Sequence, residues 1–331
     1  MTAPMIESYG KSICLGFEYL LGKYSNVFAI GQGVWNPWYV GNSMTDLDKK
    51  FGHDRVIDTP VSELACTGAA VGASLFGYRA VVIHPRMDFM LLAVDQIVNQ
   101  AAKWCHMLGG QVAPAVTIRA IIHRGGEQGA QHSQALHAWF AHVPGLRVVM
   151  PSTAEDARDL LISSVLCDDP VMYIDDRWLY ERRGELPPVA EKPLSQQGPK
   201  LRRKGSDITL VGVGHSAYLC EQAGEMLAED DVSAEVIDLR VINPLDPSLV
   251  IDSVRRTRRV CVIDGGWRTA GLAGEIIAML AESLELGHLR APPVRLTLPA
   301  APAPTSKPLE DAYYATAEKV RRLALETVRS R

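Results

Sequence analysis

Three side chains that could do chemistry are placed beside apolar runs in the first half of the chain. Glu63 follows the apolar pair Val56-Ile57, Phe89 precedes a long apolar stretch, and His132 lies in the polar cluster 131–134. A carboxylate can share a proton with a ring nitrogen, an aromatic face can stack on a planar group, and an imidazole can exchange protons near neutral pH. Together they indicate one face of a site for a ring-bearing organic molecule.

Each of these residues also has an ordinary structural interpretation. Glu63 could stabilise the start of a helix, which is worth less than about 1 kcal/mol. Phe89 could be a core aromatic residue, and one histidine in a loop is often structural. If Glu63 lies at the carboxyl end of a strand, where ligands bind in open α/β sheets, partial burial would raise its pKa. His137 and His142 lack a third ligand nearby and do not predict a metal site.

Strand and helix patterns alternate through the first half, which predicts a parallel, doubly wound sheet. A capping box is predicted at Ser152-Thr-Ala-Glu155. The predicted strands are 27–30, 79–83, 116–122, 148–150 and 170–174. The predicted helices are 9–20, 62–75, 89–107 and one that opens at this capping box and runs through residue 165.

A polar, proline-broken stretch then separates this half from a second α/β pattern. We predict a first domain at residues 1–185, a linker at 186–206 that runs over the surface, and a second domain at 207–331. Strands are predicted at 208–211, 234–239 and 260–263, and helices at 218–227, 271–280 and 312–328. The fold class is therefore α/β with two doubly wound domains.

Composition narrows the class of protein. The chain has 331 residues, enough for two ordinary cores, and a formal net charge of -4 with no basic stripe, which argues against nucleic acid as a partner. The start shows no secretory signal, and no apolar run is long enough to span a membrane, so we expect a cytoplasmic protein. The six cysteines are scattered and are expected to be reduced and buried.

Several sequence words, in order and over nearly the whole chain, resemble the β subunit of the decarboxylating component of 2-oxoacid dehydrogenases. That subunit is homologous to the second and third domains of transketolase. The words are Arg55-Val-Ile-Asp-Thr-Pro-Val-Ser-Glu63, Val94-Asp-Gln-Ile-Val-Asn-Gln-Ala-Ala-Lys103, Ala130-Gln-His-Ser-Gln134, Pro144-Gly-Leu-Arg-Val-Val-Met-Pro151, Glu235-Val-Ile-Asp-Leu-Arg-Val-Ile-Asn-Pro244 and Gly265-Gly-Trp267. The resemblance implies a transketolase-like pyrimidine-binding domain followed by a transketolase C-terminal-like domain.

The resemblance also implies roles for individual residues. Glu63 matches the glutamate that hydrogen-bonds the pyrimidine N1′ of thiamine diphosphate, and Phe89 matches the ring that stacks on that pyrimidine. His132 matches a histidine near cofactor and substrate, with Gln131 beside it in the same word. Family members often bind a structural potassium ion, and its ligands map here to Val116, Ser164, Val165, Cys167 and Asp169.

Two departures from the family pattern bear on the reaction. Two adjacent acids, thought to pass protons between paired active sites, are replaced by Gln32 and Gly33. Arg86 and Asp88 stand where dehydrogenases are more apolar, and would suit a phosphorylated or polyhydroxylated substrate. Equally, these two charged side chains could pair with each other or face a partner subunit.

The half of the site that holds diphosphate and Mg²⁺ is missing from this sequence. The signature Gly-Asp-Gly followed by Asn-Asn is absent, and Asp264-Gly-Gly266 is not followed by paired asparagines. We therefore expect an α subunit of comparable size to supply Mg²⁺ ligands, in an α2β2 heterotetramer. The small-residue helix at 67–74 would pack at such an interface.

The expected function is that of the β subunit of a split thiamine diphosphate enzyme. It would decarboxylate or cleave a small 2-oxo compound and transfer the acyl or two-carbon unit, as a 2-oxoacid dehydrogenase component that can work with a lipoyl acyltransferase. One alternative is a two-chain transketolase-like carboligase in a biosynthetic pathway. A further alternative is a non-catalytic assembly subunit.

Overall fold

The structure, a computed structural model, describes residues 5–330. Contacts between residues divide it into two compact units. The first unit contains the chain up to residue 124 together with residues 139–197, and the second contains residues 125–138 together with the chain from 198 onward. Most of each unit is thus continuous in sequence, but one short segment of the first half belongs to the second unit.

The strands of the first unit come in the expected alternation with helices. They are β1 (Met5–Ser8), β2 (Val27–Gln32), β3 (Val56–Thr59), β4 (Arg79–His84), β5 (Thr117–Ile122), β6 (Arg147–Val149), β7 (Val171–Asp176) and β8 (Arg183–Leu186). Within this unit the strands β6, β7, β5, β4, β2 and β3 are neighbours in that order, and all of these pairs are parallel. The doubly wound parallel sheet predicted from the sequence is confirmed.

Helices cover this sheet. They are α1 (Tyr9–Lys23), α2 (Pro37–Val40), α3 (Leu47–Phe51), α4 (Glu63–Ser74), α5 (Met87–Met90), α6 (Ala102–Met107), α7 (His137–Ala141) and α8 (Ala154–Val165), with 3-10 turns at Gly41–Met44, Leu91–Ala93, Arg177–Leu179 and Leu194–Gln196 and a π-helical stretch at Gln96–Ala101. The strands at the centre of the sheet are almost fully buried, as a sheet with helices on both faces requires.

The second unit is also α/β. Its elements are β9 (Lys200–Arg203), β10 (Ile208–Gly212), α9 (His215–Glu229), β11 (Ala234–Asp238), β12 (Val241–Asn243), α10 (Ser248–Thr257), β13 (Val260–Trp267), α11 (Leu272–Ser283), β14 (Val294–Leu298), α12 (Lys307–Tyr313) and α13 (Ala317–Arg329). The sheet runs in the order β14, β13, β10, β11, β9, and all pairs are parallel except β11 with β9. Apolar residues of α9 and α13 pack with those of the central strands in one core.

Two helices predicted as continuous are broken in the structure. The prediction of one helix over 89–107 is wrong, since this stretch passes from α5 through a 3-10 turn and a π-helical segment into α6. It contains neither glycine nor proline, so the sequence carries no signal for these changes of pitch. The tail helix predicted over 312–328 is also split, because the Thr316 side chain accepts a hydrogen bond from the Lys319 N–H and starts α13 anew.

Local hydrogen bonds shift two further predictions. The helix α8 is capped by Thr153, whose side chain accepts from the Asp156 N–H at 3.2 Å, one residue later than the predicted capping box. Part of the predicted linker is built into sheets: β8 begins ahead of it and pairs antiparallel with β1, and β9 forms the antiparallel edge of the second sheet. The domain limits themselves stay a prediction.

Among the described residues, no helix combines the length and the apolar character needed to cross a membrane.

Candidate active site

A cleft opens in the first unit at the carboxyl ends of three neighbouring parallel strands, β3, β2 and β4. It has a volume of about 460 Å³, including space open to solvent. Its walls come from the strand ends and from the segments that follow them: Gly31, Gln32, Tyr39, Thr59, Pro60, Ser62, Glu63, Cys66, Val82, Ile83, His84, Pro85, Arg86 and Phe89. Ligands of open α/β sheets bind at such strand ends.

The floor of the cleft depends on a glycine. Gly31 pairs with Ile83 across β2 and β4, and a Cβ on Gly31 would lie only 2.3 Å from the Ile83 carbonyl oxygen. Any side chain at this position would push the two strands apart. Gln32, the next residue, ends β2 and lines the cleft.

Glu63 lies at the first position of α4, immediately after the loop that leaves β3. The side chain of the N-cap residue Ser62 makes no capping hydrogen bond, and Glu63 is the acidic residue of the first turn. The helix dipole favours an anion there. Glu63 is half-buried and lines the cleft, so it can stabilise the helix and face a ligand at once.

Phe89 and Arg86 approach the cleft from the turn after β4. The Phe89 side chain is 39% exposed, in contrast to its neighbours Asp88 and Met90, which are buried. An exposed ring at the rim of a cleft can stack on a planar ligand. Burial lowers the pKa of Arg86, Asp88 opposes this shift, and Arg177 adds to it. Asp88 therefore lies close enough to act on Arg86, although it does not itself line the cleft.

The loop after β2 is ordered by residues of two other segments. The Val34 N–H donates to Asp58 Oδ1 at 3.0 Å, and Arg177 Nη1 donates to the Tyr39 carbonyl at 3.1 Å. Gly33 has a positive φ of 65°, and a Cβ there would come within 2.5 Å of the Tyr39 ring. Any side chain at position 33 would therefore displace Tyr39, which forms one wall of the cleft.

His84 ends β4 and was not singled out by the sequence analysis. It is buried, and burial lowers the pKa of its imidazole to about 4. Its Nε2 lies 3.1 Å from Thr67 Oγ1, which ties α4 to β4 directly behind Glu63. The sequence offers one signal for it: His84 directly follows the apolar run 80–83, as a residue at the end of a buried strand does.

Gln131 and His132 do not belong to this cleft wall. They lie on the segment 125–138, which groups with the second unit; Gln131 is exposed and His132 is half-buried. The structure therefore brings together Glu63, Phe89 and Arg86, whereas the predicted catalytic histidine is carried by the other unit.

The residues expected to bind potassium surround the end of α8, and several of their oxygen atoms already accept hydrogen bonds. Arg79 Nη1 donates to the carbonyls of Val165 and Cys167, at 3.0 and 2.8 Å. The Val116 and Ser164 carbonyls accept from backbone N–H groups, and Asp169 Oδ2 accepts from Arg147 Nε at 2.6 Å. A carbonyl oxygen has a second lone pair. The Val165 and Cys167 carbonyls could therefore bind a potassium ion only while they also accept from Arg79.

Comparison with known proteins identifies the class. The family profile described as the transketolase pyrimidine-binding domain matches residues 8–182, and that of the transketolase C-terminal domain matches residues 198–320. The chain therefore belongs to the transketolase-like β subunits of 2-oxoacid dehydrogenase decarboxylating components, a family of enzymes that depend on thiamine diphosphate. The predicted fold and family resemblance are both confirmed.

Individual relatives support this assignment. The chain is 36% identical over 334 residues to the β subunit of acetoin:2,6-dichlorophenolindophenol oxidoreductase of Bacillus subtilis, covering 97% of each chain. It is 33% identical over 311 residues to the mitochondrial β subunit of the human pyruvate dehydrogenase E1 component, covering 92% of this chain and 82% of that protein.

Solved structures show the same fold at lower identity. One is described as a split-gene transketolase, an inactive β4 tetramer, with a TM-score of 0.74, 19% identity and 97% of each chain covered. A transketolase variant from Pichia stipitis gives a TM-score of 0.70 at 14% identity, covering 99% of this chain and 46% of that one.

Proposed function

We propose that this chain is the catalytic β subunit of a two-chain enzyme that decarboxylates or cleaves a 2-oxo compound and transfers the acyl or two-carbon unit. The observation that carries the proposal is the cleft at the ends of β2, β3 and β4, where a carboxylate and an exposed aromatic ring face the same space. A cleft of this size suits the pyrimidine half of a cofactor.

Thiamine diphosphate, when bound, supplies a carbanion and an electron sink for the bond next to a carbonyl. Glu63 would share a proton with the pyrimidine N1′, a charge-assisted hydrogen bond worth about 1.5–3 kcal/mol. Phe89 would hold the pyrimidine plane by stacking. His132, with Gln131 beside it, would donate a proton to the substrate oxygen or stabilise negative charge there.

Arg86 would contact the substrate, and Asp88 would help to keep the Arg86 guanidinium charged. Arg86 lines the cleft a few residues from Phe89, and a guanidinium suits a phosphate or several hydroxyl groups. Relatives named as pyruvate dehydrogenase or acetoin oxidoreductase subunits act on small compounds, so this proposal predicts a more polar substrate for the present chain.

An α subunit would complete the site by holding diphosphate and Mg²⁺, in an α2β2 assembly. The exposed face of α4 supports such a contact. Leu64 is 54% exposed, Ala65 and Ala69 are exposed, and a Cβ on Gly72 would meet nothing within 4 Å in this chain. Exposed apolar surface of this kind marks interfaces.

Potassium at the α8 end remains part of the proposal. The carbonyls of Val165 and Cys167 would bind a potassium ion while they also accept from Arg79. In that case the melting temperature of the complex should rise when choline chloride is replaced by potassium chloride at equal ionic strength. Equal melting temperatures would reject a bound ion.

A cytoplasmic location is likewise proposed only from the sequence.

The two catalytic alternatives differ in the acceptor. Replacement of the paired acids by Gln32 and Gly33 favours a two-chain carboligase in a biosynthetic pathway, and the relatives favour the dehydrogenase component. A non-catalytic assembly subunit would not need a carboxylate and an exposed ring in one cleft. A lipoyl acyltransferase bound to the native complex would decide for the dehydrogenase.

The first experiment uses the native complex purified through a tag on this chain. Its intact mass should include a second chain of similar size, and thiamine diphosphate should be released on denaturation. Glu63→Gln in the same complex should abolish turnover of 2-oxo acids, followed with 2,6-dichlorophenolindophenol, and leave the circular dichroism spectrum unchanged. Full activity of this variant would reject the proposed role of Glu63.

A further inference from the structure

The segment 125–138 leaves the first half of the chain and packs with the second unit. It is preceded and followed by residues of the first unit, and it carries Gln131 and His132. Three glycines with positive φ (Gly125, Gly126 and Gly129) shape its first part. Such a glycine-rich path has little conformational preference of its own, so something outside the segment has to hold it.

The first anchor lies five residues before His132. The Glu127 N–H donates to both carboxylate oxygens of Glu310, at 3.1 and 3.2 Å, and Glu127 Oε1 accepts from the Lys307 N–H at 3.1 Å. Lys307 is the first residue of α12, so the Glu127 carboxylate satisfies one of the free N–H groups of that helix start. Glu310 is 4% exposed although it is an acid.

This anchor also restrains the backbone. Glu127 itself has a positive φ of 59°, which non-glycine residues adopt only when surrounding contacts hold them there. Two residues later, a Cβ on Gly129 would lie 2.5 Å from Thr305 Cγ2, so the segment approaches the connector before α12 closely.

The second anchor lies five residues after His132. His137 Nε2 lies 2.9 Å from Asp264 Oδ1, and both side chains are about 1% exposed. Asp264 also accepts from the Gly266 N–H at 2.8 Å and from the Ala273 N–H at 3.0 Å, near the start of α11. One carboxylate of β13 therefore joins the segment, the carboxyl end of its own strand and a helix of the second unit.

The charge state of Asp264 follows from its surroundings. Burial pushes the pKa of Asp264 upward, but the attraction and hydrogen bond of His137 and the two backbone N–H groups outweigh burial, and its pKa lies below the ordinary value. The carboxylate is therefore ionised at neutral pH, and removing His137 would leave a buried charge with less compensation.

We propose that Glu127 with Glu310, and His137 with Asp264, are positioning residues that hold His132 on the second unit. The two anchors fix the chain five residues before and five residues after His132, so that its imidazole keeps one orientation. The inference rests on the proposed role of His132 as a proton donor. The residues of the anchors themselves act through His132 and do not touch substrate.

The test uses the complete complex with four variants: His137→Leu, His137→Gln, Glu310→Ala and His132→Ala. His137→Leu should speed hydrogen exchange in peptides from 125–138 and lower kcat about tenfold or more, because misplacing a reacting group by about 1 Å can be that costly. KM for the 2-oxo acid should change little. His137→Gln keeps a donor for Asp264 and should recover part of kcat.

The decisive comparison is the double variant His132→Ala with His137→Leu. If the anchor acts through His132, the double variant should be no slower than His132→Ala alone. If the kcat losses of the two single variants multiply in the double variant, His137 affects activity independently of His132, and the proposal is overturned. Faster exchange in 125–138 with an unchanged kcat would also overturn it.

Two controls separate the possible failures. Ser253→Ala removes the 2.7 Å hydrogen bond to Thr209 in the same unit and should leave exchange in 125–138 and kcat unchanged. Glu310→Ala removes the acceptor of the Glu127 N–H and tests the other anchor if His137→Leu fails to fold. It must also lower kcat for the proposal to stand. Full activity of His132→Ala would reject the proposed role of His132, which is a different result from failure of the anchors.

Discussion

At the scale of single residues, the cleft combines groups that are tied to neighbouring strand ends. Glu63 comes from the start of α4, and Arg86 and Phe89 come from the start of α5. All three face a space whose floor requires Gly31. Behind Glu63, the contact of His84 with Thr67 fixes α4 against β4. Two predictions concern individual side chains in this group.

The first prediction concerns pH. The pKa of His84 is about 4 in the folded chain, below the ordinary 6.5, because burial disfavours the charged ring. From pH 6.5 downward the unfolded chain binds a proton that the folded chain refuses, so the free energy of unfolding falls until about pH 4 and then levels off. This one group can account for up to about 3 kcal/mol of that fall.

The His84→Gln variant should therefore lose less stability than the parent as the pH is lowered from 7 to 4. Urea unfolding at several pH values measures this difference, and the amide of glutamine can still contact Thr67. Parallel curves for the two proteins would show that His84 does not stay neutral.

The second prediction concerns Arg86. If its guanidinium binds phosphate or hydroxyl groups, Arg86→Leu should raise KM for a phosphorylated or hydroxylated 2-oxo substrate by about tenfold or more, since a charged hydrogen bond is worth about 1.5–3 kcal/mol. KM for pyruvate should change little. Arg86→Lys serves as the matched control, and it should keep part of the effect because it keeps the charge. A uniform change for all substrates would contradict a role in selection.

At the scale of elements, β5 and β7 are joined by a buried ion pair in the sheet that carries the cleft. Arg119 contacts both carboxylate oxygens of Asp175, at 2.9 and 2.8 Å, and also the hydroxyls of Tyr180 and Ser43. Neither charged side chain is exposed to solvent. The hydrogen bonds offset part of the cost of burying the two charges, whereas either charge alone would be costly.

Arg119→Met should lower the free energy of unfolding by about 3–5 kcal/mol, because Asp175 would keep a buried charge without its partner. The double variant Arg119→Met with Asp175→Asn should recover part of this loss, since no unpaired charge remains. Chemical unfolding of the three proteins measures both effects. A double variant that is less stable than the single one would contradict the charge argument.

At the scale of the whole molecule, the exposed face of α4 indicates that the chain works as one part of an assembly. Val61, just before α4, and Leu92, on the 3-10 turn that contacts α4, are also exposed, at 69% and 66%. Packing within this chain does not require a small residue at Gly72, where the space is open, or at the exposed Ala65 and Ala69.

Ala69→Arg should therefore weaken association with the α subunit by at least about tenfold, because a long charged side chain would have to be buried at the contact. The melting temperature of the isolated chain should not change. Leu286→Arg, at a fully exposed position, is the control and should leave association intact. Normal assembly of the Ala69→Arg variant, measured by analytical ultracentrifugation, would exclude this face as the interface.

The sequence by itself determined the class and much of the site. Alternating apolar runs predicted two α/β halves, because burial on both faces of a parallel sheet leaves a local pattern that can be read along the chain. Glu63 could be named since it follows such a run and ends one of the sequence words that resemble the family, and Phe89 could be named since it precedes a long apolar stretch. The short segment 131–134 was found in the same way.

Only the tertiary structure decided which distant residues meet. Tyr39 and His84 line the cleft because a loop packs on Gly33 and a strand ends beside α4, and neither contact has a local signal. The same holds for the segment 125–138, whose place on the second unit depends on Asp264 and Glu310 far along the chain. Local periodicity reports which face of an element is buried, whereas the choice of partner depends on packing and hydrogen bonds that form only when the chain has folded.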